Sequence, residues 1–165
     1  MQGPVAIVGY MGSGKTTVGR ILARTLGREL VDLDRAVVKE AGCTIPEIFE
    51  RSGEGHFRDL EHRALLTALE RERVVTCGGG VVVRSENREA LRKVPTVFLQ
   101  EDLGILYGRT RSANRPLRAA SREEFERRYL QRLPLYEEVA DLKIAVRGRP
   151  PGEVAREIDQ WLLGA

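Results

Sequence analysis

The strongest chemical signature in this 165-residue chain is a glycine-rich segment at residues 9–16, Gly-Tyr-Met-Gly-Ser-Gly-Lys-Thr. The G-x-x-x-x-G-K-T spacing is typical of a loop whose backbone N–H groups surround phosphate oxygens at the N-terminus of a helix. An apolar run at residues 5–8 precedes the segment, and a helical pattern follows it. We therefore expect Lys15 to reach the β- and γ-phosphates of a nucleotide and Thr16 to ligate Mg²⁺.

Two carboxylates, Asp32 and Asp34, end the second apolar run. Strand alternation would place both on the same side, at the carboxyl edge where parallel sheets bind ligands. One carboxylate could then hold the water shell of a metal while the other accepts the proton of a hydroxyl group. The simpler alternative is that Asp34 caps the helix that follows.

Two further features have the residue types of a binding site. A turn without side chains, Gly78 to Gly80, follows the third apolar run and would let backbone approach a ligand closely. Arg58 and Glu61 stand at i, i+3 spacing on a predicted helix, which usually indicates an exposed ion pair.

The elements that must position these residues alternate between short apolar runs and longer helical patterns, which predicts a parallel α/β sheet in one domain spanning 1–165. Capping-box spacings occur at Thr44 with Glu47 and at Ser121 with Glu124. The predicted strands are 5–8, 29–33, 74–77, 96–99 and 142–146. The predicted helices are 15–26, 35–41, 56–70, 86–93, 103–109, 122–139 and 152–163.

Composition argues against several other classes of protein. Aromatic residues make up 5% of the chain and the net charge is +3, which does not favour nucleic-acid binding. Two cysteines, Cys43 and Cys77, are too few for a disulfide framework, and no apolar run has the length of a membrane span. We expect a cytoplasmic monomer that binds neither nucleic acid nor membrane.

A phosphate-binding loop alone does not identify a reaction. A Ras-type GTPase would need an N-K-x-D motif, which the chain lacks. A helicase-type ATPase would need a strand that ends in Asp-Glu, whereas Gln100 interrupts the nearest candidate, at 97–102. The small size and an arginine-rich late segment favour a P-loop kinase that acts on a small acceptor.

Seven segments, in order and over nearly the whole chain, resemble the shikimate kinase family. They are GYMGSGKTTVGR at 9–20, DLD at 32–34, IPEIFE at 45–50, GEGHFR at 53–58, GGG at 78–80, RPL at 115–117 and RLPLY at 132–136. The family commonly has a second leucine where this chain has Arg118, which adds a cation at that point.

The resemblance implies a three-layer fold like that of nucleoside monophosphate kinases. It has a five-stranded parallel sheet flanked by helices, an acceptor-binding region at about 33–61 and a mobile lid at about 110–120. It also implies Mg²⁺-dependent transfer of a phosphoryl group from ATP to the 3-hydroxyl of shikimate. Gluconate and nucleoside monophosphate kinases share the loop and the fold, and remain alternatives.

The resemblance also carries roles to individual positions. Lys15, Asp34 and Arg115 match catalytic positions, while Thr16 and Asp32 match the metal site. The positions that match nucleotide-binding residues are Gly12, Ser13, Gly14, Lys15, Thr16, Thr17, Arg109, Arg115, Arg149 and Pro151. The positions that match the shikimate site and its surroundings are Asp34, Ile45, Phe49, Phe57, Arg58, Glu61, Gly78, Gly79, Gly80 and Arg132. The resemblance further implies that Glu61 orients Arg58 and does not form a mere surface pair.

The positive charge is concentrated late in the chain. Residues 104–135 contain eight arginines and three glutamates, so this segment carries more than the whole net charge of +3. We interpret it as a local attraction for two anionic substrates, a nucleotide and a small carboxylic acid.

Overall fold

A five-stranded parallel sheet in the order β2-β3-β1-β4-β5 forms the centre of the protein in a computed structural model that describes residues 3–112 and 121–165. All four pairings between neighbouring strands are parallel. The strands are β1 Val5–Val8, β2 Glu29–Asp32, β3 Arg73–Thr76, β4 Thr96–Gln100 and β5 Leu142–Ala145. The predicted sheet is confirmed, with strand ends shifted by at most one residue.

Helices cover both faces of this sheet. The helices are α1 Lys15–Leu26, α2 Leu33–Ala41, α3 Ile45–Leu69, α4 Ser85–Leu91, α5 Leu103–Ser112, α6 Arg122–Val139 and α7 Pro151–Gly164. A short 3₁₀ helix, Val81–Val83, precedes α4 and was not predicted. Within the described residues, no helix has both the length and the apolar character needed to cross a lipid bilayer.

The core forms two apolar layers, one on each face of the sheet. Side chains of β1 alternate between them: Ala6 and Val8 belong to one layer, and Val5 and Ile7 to the other. This alternation follows from the two-residue period of a strand, and all four residues are buried because apolar layers cover both faces of the sheet. The predicted three-layer architecture is therefore confirmed.

The strand order determines which loops meet. The chain crosses from β1 to the edge strand β2 and returns through β3, which lies between them, before it passes to β4 on the other side of β1. Loops that follow β1, β2 and β3 therefore emerge at the same carboxyl edge, beside the point where the order reverses. Open α/β sheets bind ligands at such a point.

The junction between β2 and α2 differs from the prediction. The strand ends at Asp32, whose side chain caps α2 by accepting a hydrogen bond from the Arg35 N–H at 3.2 Å. Asp34 lies in the first turn of α2 and is neither a strand residue nor the cap. The expected strand alternation of Asp32 with Asp34 was wrong, as was the alternative that Asp34 caps the helix.

Helix α3 is longer than the predicted helix at 56–70, because two helical segments join across a bend. Both bonds of the predicted capping box at its start are present: Glu47 N–H donates to Thr44 Oγ1 at 3.4 Å and Thr44 N–H donates to Glu47 Oε2 at 3.3 Å. At Gly53 the backbone leaves the helical region, with φ 81° and ψ 172°. Since only glycine adopts this conformation readily, Gly53 determines where the second half turns toward the sheet.

Candidate functional site

A cavity of about 280 Å³ opens at the carboxyl edge of the sheet. Loops after β1, β2 and β3 contribute to its wall, and α6 adds one arginine. Its lining residues are Met11, Gly12, Gly14, Lys15, Thr16, Thr17, Asp32, Asp34, Ile45, Thr76, Cys77, Gly78, Gly79, Gly80 and Arg132. The structure therefore brings together the phosphate-binding loop, the two aspartates at the junction of β2 and α2, and the glycine turn after β3.

The phosphate-binding loop wraps around the N-terminus of α1. Gly14 caps this helix with φ 86°, a left-handed conformation that favours glycine. The ammonium group of Lys15 donates to the carbonyls of Gly9 at 2.8 Å and Tyr10 at 2.9 Å. These bonds hold Lys15 across the loop, where it lines the cavity together with Gly12 and Thr17.

Helix α5 supports the loop from outside the cavity. The guanidinium of Arg109 donates to the Gly12 carbonyl at 2.9 Å and pairs with the buried carboxylate of Glu101 at 3.5 Å. Ser13 is also buried, with 1% of its surface exposed. Arg109 thus contacts the phosphate-binding loop, and its expected contact with the nucleotide stays a prediction.

Oxygen atoms from β2 and α1 meet beside the loop. The Thr16 hydroxyl donates to Asp32 Oδ2 at 3.0 Å. Thr76, the register partner of Asp32 on β3, has a buried hydroxyl oxygen with no hydrogen-bond partner among the described residues. These groups fit Mg²⁺, which prefers oxygen ligands and keeps several of its waters. No cluster of three or more His, Cys, Asp or Glu ligands occurs in 3–112 or 121–165.

Asp34 packs against the glycine turn. A Cβ atom added at Gly78 would lie 2.8 Å from Asp34 Oδ1 and 3.3 Å from Glu61 Oε2. The turn therefore needs glycine at this position, because any side chain would displace a carboxylate. Both Asp34 and the glycine turn line the cavity.

Arg58 and Glu61 form a buried ion pair. The exposed pair suggested by the spacing alone was wrong, whereas the pairing of Glu61 with Arg58 that the resemblance implies is present. Their atoms Nη1 and Oε1 are 2.9 Å apart, and the residues are only 5% and 1% exposed. Burial raises the pKa of the Glu61 carboxyl; the charge and hydrogen bond of Arg58 oppose that rise, and the nearby Asp34 adds to it. The Arg58 guanidinium is thus held in place by a carboxylate that water barely reaches.

Gly80 lines the cavity and lies directly against Arg58. A Cβ atom there would lie 2.5 Å from Arg58 Nη1 and 2.6 Å from its Cζ. Arg58 also lies over the ring of the buried Phe57, 5.2 Å from its centroid, and the Phe49 ring packs 5.1 Å from Phe57. Phe49 and Phe57 therefore support Arg58 from behind and do not line the cavity.

Arg132 reaches the same cavity from α6. Its guanidinium lies 5.8 Å from the centroid of the Tyr10 ring, and its Nη1 is 3.6 Å from the position that a Cβ of Gly79 would occupy. Two arginines from distant parts of the chain, Arg58 and Arg132, thus approach the glycine turn. Paired guanidinium groups of this kind are suited to binding a carboxylate.

Other expected residues lie elsewhere. Arg149 forms an ion pair with Glu157 at 2.7 Å, and Pro151 begins α7; neither is among the residues that line the cavity. Arg115, Arg118 and most of the expected lid at 110–120 fall outside the described residues. Cys77 lines the cavity but is 2% exposed, and burial raises the pKa of its thiol, which makes it a poor nucleophile.

The arginines of 104–135 divide by environment. On α6, Arg122 and Arg128 form i, i+4 ion pairs with glutamates of the same helix, whereas Arg132 lines the cavity. Of the arginines on α6, Arg132 is the one that lines the cavity.

Thr76 was not predicted from the sequence. Its position at the end of β3, where side chains enter a ligand-binding edge, is a signal that could have identified it.

Comparisons with known proteins agree on one family. A family model described as shikimate kinase matches residues 11–163. A shikimate kinase of Thermodesulfovibrio yellowstonii is 40% identical over 159 residues, covering 93% of this chain and 91% of the relative. The solved structure of shikimate kinase from Acinetobacter baumannii in complex with shikimate superposes with a TM-score of 0.92 at 38% identity, covering 99% of this chain and 94% of that one. The Aquifex aeolicus shikimate kinase structure gives a TM-score of 0.86 at 35% identity, covering 98% and 96%.

The raised pKa of Glu61 predicts a pH-dependent stability with a definite sign. A carboxyl group whose pKa is higher in the folded than in the unfolded protein binds its proton more tightly when folded. Its contribution to stability is therefore lost as the pH rises above the ordinary glutamate range. We expect the free energy of unfolding of the wild type to fall relative to that of Glu61→Gln as the pH rises above about 4, the ordinary pKa range of glutamate. Urea denaturation of both proteins at each pH measures the difference.

Glu54→Gln is the matched control, because Glu54 also pairs with Arg58, at 3.3 Å, but its side chain is 63% exposed. Water already solvates the Glu54 charge, so this variant should follow the pH dependence of the wild type. A free energy of unfolding of the wild type that stays constant or rises with pH, relative to that of Glu61→Gln, would contradict the raised pKa.

Proposed function

This chain belongs to the shikimate kinase family, and from that premise we propose that it transfers the γ-phosphoryl group of ATP to the 3-hydroxyl of shikimate. The observation that carries the proposal is a single cavity in which the phosphate-binding loop, Asp34 and the glycine turn meet, with Arg58 behind the turn and Arg132 in the wall. The loop suits the nucleotide, and the arginines suit a small hydroxy acid.

The nucleotide side depends on backbone dipoles. N–H groups of the loop and the N-terminus of α1 provide partial positive charge for the phosphates, and Lys15 adds a full charge. Thr16 and Asp32 would hold Mg²⁺ with some of its waters. When Mg²⁺ is bound, it neutralises negative charge on the phosphate oxygens. Arg115 would add a further cation from the expected lid.

The acceptor side depends on paired guanidinium groups. Arg58 and Arg132 would bind the carboxylate of shikimate, because a guanidinium can donate two parallel hydrogen bonds to it. Glycine at positions 78 and 80 lets Asp34 and Arg58 lie directly against the turn, because these two residues occupy the space that side chains there would fill. Asp34 would then face the hydroxyl groups of the acceptor.

Asp34 is the proposed general base. The acceptor oxygen bonds to the γ-phosphorus while the bond from that phosphorus to the β,γ-bridging oxygen breaks, leaving ADP. The proton of the hydroxyl passes to the Asp34 carboxylate, which orients the attacking oxygen beforehand. Catalysis of this kind depends mainly on positioning and charge neutralisation. Closure of the expected lid would exclude water as a competing acceptor.

We also propose that the enzyme acts as a cytoplasmic monomer. Both cysteines, Cys43 and Cys77, are free thiols, which suits a reducing compartment.

An acceptor screen tests the proposed function. ADP release is followed with ATP and Mg²⁺ in the presence of shikimate, gluconate or a nucleoside monophosphate. We expect rapid ADP release with shikimate only, and a product phosphorylated at the 3-hydroxyl by ³¹P and proton NMR. Turnover with gluconate or a nucleotide, and none with shikimate, would refute the proposal.

Asp34→Asn should lower kcat by on the order of 10²- to 10⁴-fold, because the amide cannot accept the hydroxyl proton. Affinity for ATP, measured by calorimetry, should change little. The control is Asp141→Asn, since Asp141 accepts a hydrogen bond from Thr96 N–H at 3.0 Å at the opposite edge of the sheet. A kcat near that of the wild type in Asp34→Asn would remove Asp34 from the role of base.

Gly80→Ala should raise the KM for shikimate by about tenfold or more, because the new methyl group displaces Arg58 and weakens a charged hydrogen bond. Its backbone, at φ −98° and ψ 5°, accepts alanine without strain, so the effect reports the loss of space. Gly55→Ala is the control, since a Cβ at Gly55 meets no atom within 4 Å. Equal KM values in the two variants would contradict the assignment of Arg58.

A further inference from the structure

Tyr136 lies one helical turn after Arg132 on α6, and its side chain is fully buried. The ring stacks on Phe98 of β4, with centroids 5.1 Å apart and planes 24° apart. Buried tyrosines usually need a partner for the hydroxyl group. The partner here belongs to the acceptor side of the cavity, although Tyr136 itself is not among the lining residues.

The Tyr136 hydroxyl donates a hydrogen bond to the carbonyl oxygen of Gly79, in the middle of the glycine turn. In a trans peptide the C=O and N–H groups point in opposite directions. A carbonyl of Gly79 held toward Tyr136 therefore directs the N–H of Gly80 away from Tyr136, to the other side of the turn. This bond fixes the orientation of a peptide group in the cavity wall.

The same hydroxyl faces the Arg132 guanidinium. The position that a Cβ of Gly79 would occupy is 3.6 Å from Arg132 Nη1 and 3.7 Å from the Tyr136 hydroxyl oxygen, so the three groups meet at one point. Burial raises the pKa of Tyr136, while the charge and hydrogen bonding of Arg132 oppose that rise. Tyr136 is therefore a neutral phenol, which can donate to Gly79 and accept from Arg132 at the same time.

Other side chains hold the rest of this segment. Asn87 Nδ2 donates to the Val81 carbonyl at 2.9 Å, and Arg88 Nη1 donates to the Val82 carbonyl at 2.8 Å. Both bonds lie in the 3₁₀ helix beyond the glycine turn. Tyr136 differs from Asn87 and Arg88 because its partners, Gly79 and Arg132, both line the cavity.

We propose that Tyr136 is a positioning residue for the acceptor, which aims the Arg132 guanidinium and the Gly79–Gly80 peptide at the acid through one shared hydroxyl group. This inference rests on the proposed function, because it assumes that the acceptor carries a carboxylate. It assigns Tyr136 no contact with the substrate. Loss of the hydroxyl should therefore weaken acceptor binding and leave the transfer step and the nucleotide site intact.

Tyr136→Phe tests the inference, since it keeps the ring on Phe98 and removes only the hydroxyl. We expect the KM for shikimate to rise about tenfold, with kcat and the KM for ATP within about twofold of the wild type. Shikimate alone should also raise the midpoint of thermal unfolding less in Tyr136→Phe than in the wild type. An unchanged KM for shikimate, or equal changes in both KM values, would overturn the proposal.

Thr96→Val is the matched control. Thr96 also has a buried hydroxyl that donates to carbonyl oxygens, those of Leu91 at 2.9 Å and Val94 at 3.1 Å, at the opposite edge of the sheet. This variant should lose stability, as Tyr136→Phe does, without a change in the KM for shikimate. A comparable KM change in Thr96→Val would show that Tyr136 has a merely structural role and would overturn the proposal.

A double-variant cycle tests the link to Arg132. If Tyr136 acts through Arg132, Tyr136→Phe should raise the KM for shikimate less in an Arg132→Lys background than in the wild type. If Tyr136→Phe raised the KM for shikimate by the same factor in both backgrounds, this link would be overturned.

A measurement on the wild-type chain keeps the proposal testable even if Tyr136→Phe does not fold. Among the four tyrosines labelled as 3-fluorotyrosine, the ¹⁹F resonance of Tyr136 should shift on addition of shikimate and not of ADP. A resonance that does not respond to shikimate would overturn the proposal. If the wild type neither turns over nor binds shikimate, the proposed function itself fails, whatever the variants do.

Discussion

The acceptor half of the site depends on the buried ion pair between Arg58 and Glu61. A guanidinium that is 5% exposed would be costly without a carboxylate beside it, and Glu61 provides one at 2.9 Å. The pair also determines what can stand next to it, because a side chain at Gly80 would overlap Arg58. A charge held this firmly can bind an anion without first losing its own conformational freedom.

The parallel sheet is what brings this pair to the phosphate-binding loop. Each loop that follows β1, β2 and β3 leaves the same edge, so residues far apart in the chain meet in one cavity. Lys15 and Thr16 come from the first crossover, and Asp34 from the second. Arg132 reaches them from α6, 98 residues after Asp34 in the chain, because α6 packs over the same edge.

The two halves of the cavity use different physical means of binding anions. The phosphate side relies on backbone dipoles and on a lysine held by the loop's own carbonyls. The acceptor side relies on guanidinium groups and on a glycine turn in which Tyr136 holds the carbonyl of Gly79. Asn87 holds the carbonyl of Val81 in the 3₁₀ helix that follows the turn. Fixed groups on both sides reduce the reorganisation that transfer of a highly charged group would otherwise require.

Features that depend on residues close together in the chain could be predicted from the sequence. The phosphate-binding loop, all five strands and the Thr44–Glu47 capping box were predicted correctly, because short-range periodicity and hydrogen bonding determine them. The start of α2 was missed by two residues, since Asp32 and Asp34 are both acceptable caps by residue type.

Features that depend on burial and strand order needed the tertiary structure. The i, i+3 spacing of Arg58 and Glu61 is the same for an exposed pair and a buried one, and only packing beneath Gly80 distinguishes them. Nothing local in the sequence indicates the contacts of Tyr136, because its partners Gly79 and Arg132 come together only when α6 docks on the sheet. The sequence by itself determined which groups the site contains, and the tertiary structure decided which of them touch, because contact between distant residues arises only from folding.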